Sequence, residues 1–196
     1  MRRIKQIGDW VIPIVVGLVM ALIINQFFGM QVIAGSSMSP ILRNGEVVYR
    51  LNKAKVRHNT VISFYAQGIE KNQATTAKTI YVKRVIGLPG ERVKYTAKGK
   101  LWVNGKLISQ NYLSVYQQKQ GTLDPQASYP EAAGVKIFEN KEFTVPKNSY
   151  FVLGDNRNIS NDSRYYGFVP EKKVIGVVRA PFWAAKQVQV NAAEVD

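Results

Sequence analysis

One histidine and no cysteine occur among the 196 residues, so any nucleophile in this chain needs a base of another kind. A Ser-His-Asp triad would have to use His58. That residue stands in the polar turn Val56-Arg57-His58-Asn59 and reads as a solvated surface group. A thiol nucleophile, a Cys-ligated zinc, an iron–sulfur cluster and a two-histidine metal site are excluded by composition. The acids form no close ligand pattern, so no metal and no other cofactor is expected. Lysine remains. Burial disfavours the charged ammonium, so a lysine in an apolar strand can act as general base. Most lysines lie in polar loops, whereas Lys83 lies in Ile80-Tyr81-Val82-Lys83-Arg84-Val85-Ile86. By strand alternation Lys83 shares a face with Tyr81 and Val85, and Arg84 shares the other with Val82 and Ile86. One of the two cations is expected to face the core. An edge strand with both cations reaching water fits the same pattern.

Two further clusters could complete such a site. Gly35-Ser36-Ser37-Met38-Ser39-Pro40 offers hydroxyls on a turn whose glycine lets a carbonyl substrate approach the backbone, and whose free N–H groups can receive an oxyanion. Read alone, it is equally a Gly/Ser linker. Residues 154–168 (GDNRNISNDSRYYGF) read alone as a polar loop with Asx turns and an Asp162–Arg164 ion pair.

These clusters need elements to hold them. Residues 10–28 carry no charge and are mostly apolar, about the length that spans a bilayer, with Pro13 expected in the first turn of the helix. Arg2, Arg3 and Lys5 precede the run, which places residues 1–9 in the cytoplasm and the chain from residue 29 outside. A cleavable signal peptide ending at Ala34 is the competing reading. The net charge of +14 is scattered, with no basic helical stripe, so an anionic membrane surface is expected as partner and nucleic acid is not.

After residue 29 the texture is that of strands. Runs at 46–49, 60–65, 79–82, 150–153 and 174–178 are rich in β-branched and aromatic residues, and a short strand is expected at 31–34. Asn104-Gly105 between 100–103 and 106–108 marks a two-residue hairpin turn. Residues 66–78 and 115–136 read as surface loops. The expectation is one mostly β domain over residues 29–196, behind a single helix.

In this order, the three clusters resemble the motifs of the bacterial type I signal peptidases, Gram-positive type. Residues 35–42 (GSSMSPIL) resemble the nucleophile motif, 81–91 (YVKRVIGLPGE) the lysine motif, and 154–168 the third signature. The resemblance covers almost the whole chain, more weakly over 111–147, where family members carry variable insertions. It implies a coiled β-sheet domain and a membrane-bound serine endopeptidase of the cell membrane that removes signal peptides from exported preproteins. It implies Ser37 as nucleophile and Lys83 as base. Ser160 would orient the lysine, and Asp162 with Arg164 would form a supporting ion pair. The Ser37 N–H would form the oxyanion hole, with Gly35 standing where some members place a second donor. Ile33, Met38, Leu42 and Val82 would line shallow pockets for small side chains at substrate positions −1 and −3. Ile41, Glu91 and the pair Asn158-Ile159 depart from the usual family residues. A non-catalytic assembly factor of the same shape is the alternative, and a self-cleaving Ser–Lys repressor relative would need a DNA-binding module in place of the apolar run.

Overall fold

The computed structural model describes residues 2–69, 75–120, 135 and 141–191, with side chains from residue 10 onward. It opens with helix α1 (Arg2–Phe27). The segment Trp10–Phe27 has a mean hydropathy of 2.2 and is long and apolar enough to cross a membrane, and its side chains are exposed throughout. The helix starts in the basic segment, so Pro13 lies inside it and not in the first turn as expected. Its missing N–H leaves one carbonyl of the preceding turn without a helical donor.

The chain passes from α1 directly into β1 (Phe28–Val32), earlier than the expected strand at 31–34, and β1 pairs antiparallel with β2 (Val47–Leu51). The last carbonyls of a helix have no helical donor. Here Asn52 at the end of β2 supplies them: its N–H donates to Phe27 O at 2.9 Å and its side-chain amide to Gln26 O at 3.1 Å. The remaining elements are β3 (Val61–Tyr65), β4 (Ile80–Gly87), β5 (Arg92–Tyr95), β6 (Leu101–Val103), β7 (Lys106–Ile108), α2 (Val115–Gln120), β8 (Glu142–Thr144), β9 (Ser149–Leu153), α3 (Ser163–Tyr166), β10 (Val169–Pro170), β11 (Val174–Arg179) and α4 (Gln187–Asn191).

Among the described residues the strands form two sheets, in the orders β1-β2-β11-β3-β4-β9-β10 and β7-β6-β5-β8. The larger sheet is covered on both faces. Val61, Val82 and Val178 belong to a cluster with Ile33, Met38 and Leu42, whereas Ile62, Val85 and Val177 belong to a second cluster with Phe64 and Val152. Adjacent residues of a strand point to opposite faces, so two-sided cover buries all of Val61, Ile62, Ser63 and Phe64. A third cluster fastens the small sheet to the large one, with Phe151 and Leu153 packed among Val93, Tyr95 and Leu101. The hairpin forms where expected: Asn104 and Gly105 have φ of 50° and 79°, and Val103 pairs with Lys106. Of the two expected loops, residues 70–74, 121–134 and 136 lie outside the described residues. The stretch 115–120 is helical instead, a six-residue helix too short to show a periodicity.

Two-sided burial has a measurable consequence. Phe64→Ala, at a position with no exposure, is expected to lower the unfolding free energy by about 3–5 kcal/mol. Leu107→Ala, at a side chain 55% exposed, should change it by no more than about 0.5 kcal/mol. Urea unfolding of the detergent-solubilised protein reads both, and similar midpoints for the two variants would contradict the packing.

Candidate active site

The Ser37 turn is shaped from below. Met38 and Leu42, each 1% exposed, anchor it in the core, and the N–H groups of Ile41 and Leu42 donate back to Met38 O at 3.0 and 2.9 Å. Gly35 enters the turn at φ 88°, a conformation side chains avoid. Its N–H donates to Asn44 Oδ1 at 2.9 Å. That N–H is therefore engaged within the turn. Among the described residues nothing accepts from the N–H of Ser37.

Lys83 is carried on β4, between β3 and β9. It is 4% exposed, and its Nζ donates to Ser37 Oγ at 2.9 Å and to Val82 O at 3.2 Å, with the Tyr81 ring centre 5.3 Å away. The expectation that only one of the two neighbouring cations faces inward is corrected. Arg84 is also buried, with no exposure, because the opposite face of β4 is covered too. Its guanidinium donates to both oxygens of Asp155, at 2.8 and 2.7 Å, and to the carbonyls of Asn59 and Gln189. Burial alone would push its pKa down; Asp155 outweighs this and holds it above the ordinary arginine value.

The loop after β9 holds the serine turn against the lysine strand. The N–H of Asn156 donates to Ser37 O at 2.9 Å and its side-chain amide to Ser36 O at 3.3 Å. Gly154 has no room for a Cβ, which would strike the Ser160 side chain and the Ser37 carbonyl oxygen. Asp162 and Arg164 form the expected ion pair, both buried, through two hydrogen bonds of 2.9 Å. Asp162 also accepts from the Gly154 N–H at 3.0 Å. Burial pushes the Asp162 carboxyl up, but Arg164 and that N–H prevail and hold it below the usual carboxylate range. Arg157, 1% exposed, donates to Gly154 O and to the hydroxyls of Tyr95 and Tyr112.

Ser37 and Lys83 open on a cleft of about 270 Å³ whose walls include Ile33, Val82, Ile80 and Ile159. Met38 and Leu42, expected on those walls, lie in the core cluster beneath. The Ser160 hydroxyl, expected to orient Lys83, is buried against Gly154 and helps hold the Asp162 carboxyl down. His58 is not a solvated residue: its Nε2 lies 2.7 Å from Glu91 Oε2, with side chains 12% and 15% exposed. It is not part of the cleft. Sequence reasoning weighed Arg84 only as the neighbour of Lys83 and gave Asp155, Asn156, Arg157 and Gln189 no role. A charged residue inside an apolar strand signals Arg84. A carbonyl contact such as that of Gln189 leaves no trace in a side-chain pattern.

The family described as signal peptidase, peptidase S26, matches residues 7–183. Among curated proteins, the chain is 33% identical over 192 residues to signal peptidase IB of Staphylococcus aureus (strain MRSA252), covering 95% of each. It is 37% identical over 167 residues to signal peptidase I of Bacillus caldolyticus, covering 82% of each. Among solved structures, a signal peptidase I from Enterococcus faecalis V583 is 34% identical, with a TM-score of 0.43, over 63% of this chain and 97% of that one.

Asp155 is one of the residues outside the cleft whose loss is costly. Asp155→Ala leaves a buried guanidinium uncompensated and is expected to destabilise the domain by about 3–5 kcal/mol. The double variant Arg84→Met/Asp155→Leu should recover much of that stability. A single variant that unfolds no more easily than the parent would show that the pair is not structural. Gly154→Ala is expected to cut turnover at least tenfold while the unfolding midpoint moves less than for Asp155→Ala, and unchanged turnover would refute the clash.

Proposed function

The chain belongs to the peptidase S26 family of signal peptidases, a hydrolase family, and we propose that it cleaves signal peptides from preproteins with Ser37 as nucleophile and Lys83 as general base. The observation that carries this reading is the 2.9 Å separation of Lys83 Nζ and Ser37 Oγ, with Lys83 4% exposed. In that setting desolvation favours the neutral amine, the form able to accept a proton. Lys83 takes the hydroxyl proton as Ser37 Oγ attacks the scissile carbonyl carbon, and the developing oxyanion lies toward the Ser37 N–H. When the C–N bond breaks, the leaving amine takes the proton from Lys83, and Ser37 is left as an ester. Lys83 then takes a proton from water, the hydroxide adds to the ester, and collapse returns the proton to Ser37. The apolar walls at Ile33 and Val82, in a cleft of about 270 Å³, suit small side chains at −1 and −3 of the substrate.

The domain works from the membrane in this reading. Residues 10–27 cross it, residues 1–9 stay in the cytoplasm, and the β domain from residue 29 stands outside, on the anionic lipid surface that its basic charge favours. Substrate and enzyme are then held to one surface, which raises the rate of encounter.

The test is cleavage of a preprotein bearing an Ala-x-Ala site by the detergent-solubilised full chain, with the new N-terminus sequenced. Ser37→Ala and Lys83→Ala should each lower kcat by on the order of 10³-fold or more, the scale on which a nucleophile–base unit fails when one member is lost. His58→Ala should cleave at a rate near that of the parent. Loss of cleavage in His58→Ala with retention in Lys83→Ala would overturn the dyad. Absence of cleavage by the unsubstituted chain, together with normal complementation by Ser37→Ala, would favour the assembly-factor reading.

A further inference from the structure

A second and larger cavity, of about 600 Å³, lies apart from the catalytic cleft and shares no wall residue with it. Its floor is apolar: Leu42, Val48 and Val190 are each no more than 1% exposed. Its mouth carries Met30 and Trp183, 71% and 65% exposed, beside Phe182 at 86%. Arg43 and Lys186 stand on its walls with Glu46 as the one acid, and the Glu46 carboxylate already accepts the backbone N–H of Arg43 at 3.1 Å. An apolar interior with a cationic rim matches an amphiphile that has a hydrocarbon tail and an anionic head. Its position narrows the source. Met30 belongs to β1, which follows the last residue of α1 without a linker, so the mouth opens close to where the apolar helix ends.

We propose that this cavity binds an acyl chain of an anionic phospholipid taken from the bilayer around α1, with its phosphate held by Arg43 and Lys186. The proposal rests on the reading of α1 as a membrane span. Trp183 and the other aromatic at the mouth suit the interface at which such a lipid would enter. The floor is closed by Val190 of α4, the short helix whose Gln189 carbonyl accepts from Arg84, so a lipid in the cavity would pack against the segment that caps the catalytic strand.

The test uses the full chain with Trp183 as sole tryptophan (Trp10→Phe, Trp102→Phe), in phosphatidylcholine vesicles doped with phosphatidylglycerol brominated at mid-chain. Trp183 emission should be quenched. Ala185→Phe, which fills the cavity from an exposed wall position, should cut the quenching at least twofold. Arg43→Gln/Lys186→Gln should remove the preference for phosphatidylglycerol over equally brominated phosphatidylcholine. Quenching that Ala185→Phe leaves unchanged would mean that Trp183 only dips into the bilayer, and would overturn the proposal. A companion chain retaining only Trp10 separates the two readings. Quenched Trp10 with unquenched Trp183 keeps the span and sinks the cavity site, whereas both unquenched sinks the span as well. A shift of Trp183 emission on adding a soluble signal peptide without lipid would assign the cavity to peptide and overturn the lipid.

Discussion

The bidentate pair of Arg84 with Asp155, both without exposure, is the interaction on which the candidate site depends. Two buried charges must be satisfied together or not at all, because either one alone carries the full cost of desolvation. The pair therefore ties β4 to the loop after β9 at a fixed distance. Each partner has a neighbour that inherits the constraint. Lys83 precedes Arg84 on β4, and Asn156, which follows Asp155, donates its N–H to the Ser37 carbonyl. The ion pair on one face of the strand thereby helps set the meeting of lysine and serine on the other. The Asp162–Arg164 pair and the tight fit of Gly154 against Ser160 support the same loop from its far side.

Two adjacent cations in one strand meet different fates because their chemistry differs. Arginine keeps its charge in the interior when a carboxylate meets its fork, and Asp155 does so with two hydrogen bonds. The flexible ammonium of Lys83 instead reaches the Ser37 hydroxyl and the Val82 carbonyl. The strand thus holds one cation met by a buried carboxylate beside one that meets the serine hydroxyl.

Much of this was legible beforehand. The hairpin at Asn104-Gly105, the main strand runs and the Asp162–Arg164 pair follow from local chemistry, and the meeting of Ser37 with Lys83 was implied by the resemblance to the signal peptidases. What failed were statements about surroundings. Alternation says that residues 83 and 84 point to opposite faces but not that both faces are covered, and β9, β11 and the Met38 turn decide that from far along the chain. His58 reads as solvated within its own turn, and its partner Glu91 is brought in by the bend that follows β4. Contacts to backbone atoms, such as Gln189 O on Arg84, place no demand on side-chain identity and so leave no pattern to read.

The position of Ser37 relative to α1 is set by the same economy of short connections. The carbonyls at the end of α1 are capped by Asn52, and Lys53 lies over the Phe27 ring at 4.6 Å, where a cation also suits the negative end of the helix. Asn52 and Lys53 follow β2, the partner of β1, so the helix end and the first two strands form one braced unit. Ser37 is reached from Phe27 through β1 and a single turn, and the extended strand itself rises about 3.3 Å per residue. Little slack remains to move Ser37 relative to the end of α1. A helix joined through a free linker would let the domain tumble, whereas a capped helix running straight into a sheet keeps the serine at one height. Under the proposed function, with Ser37 and its substrate meeting at a bilayer, that height matters as much as the pairing of Ser37 with Lys83.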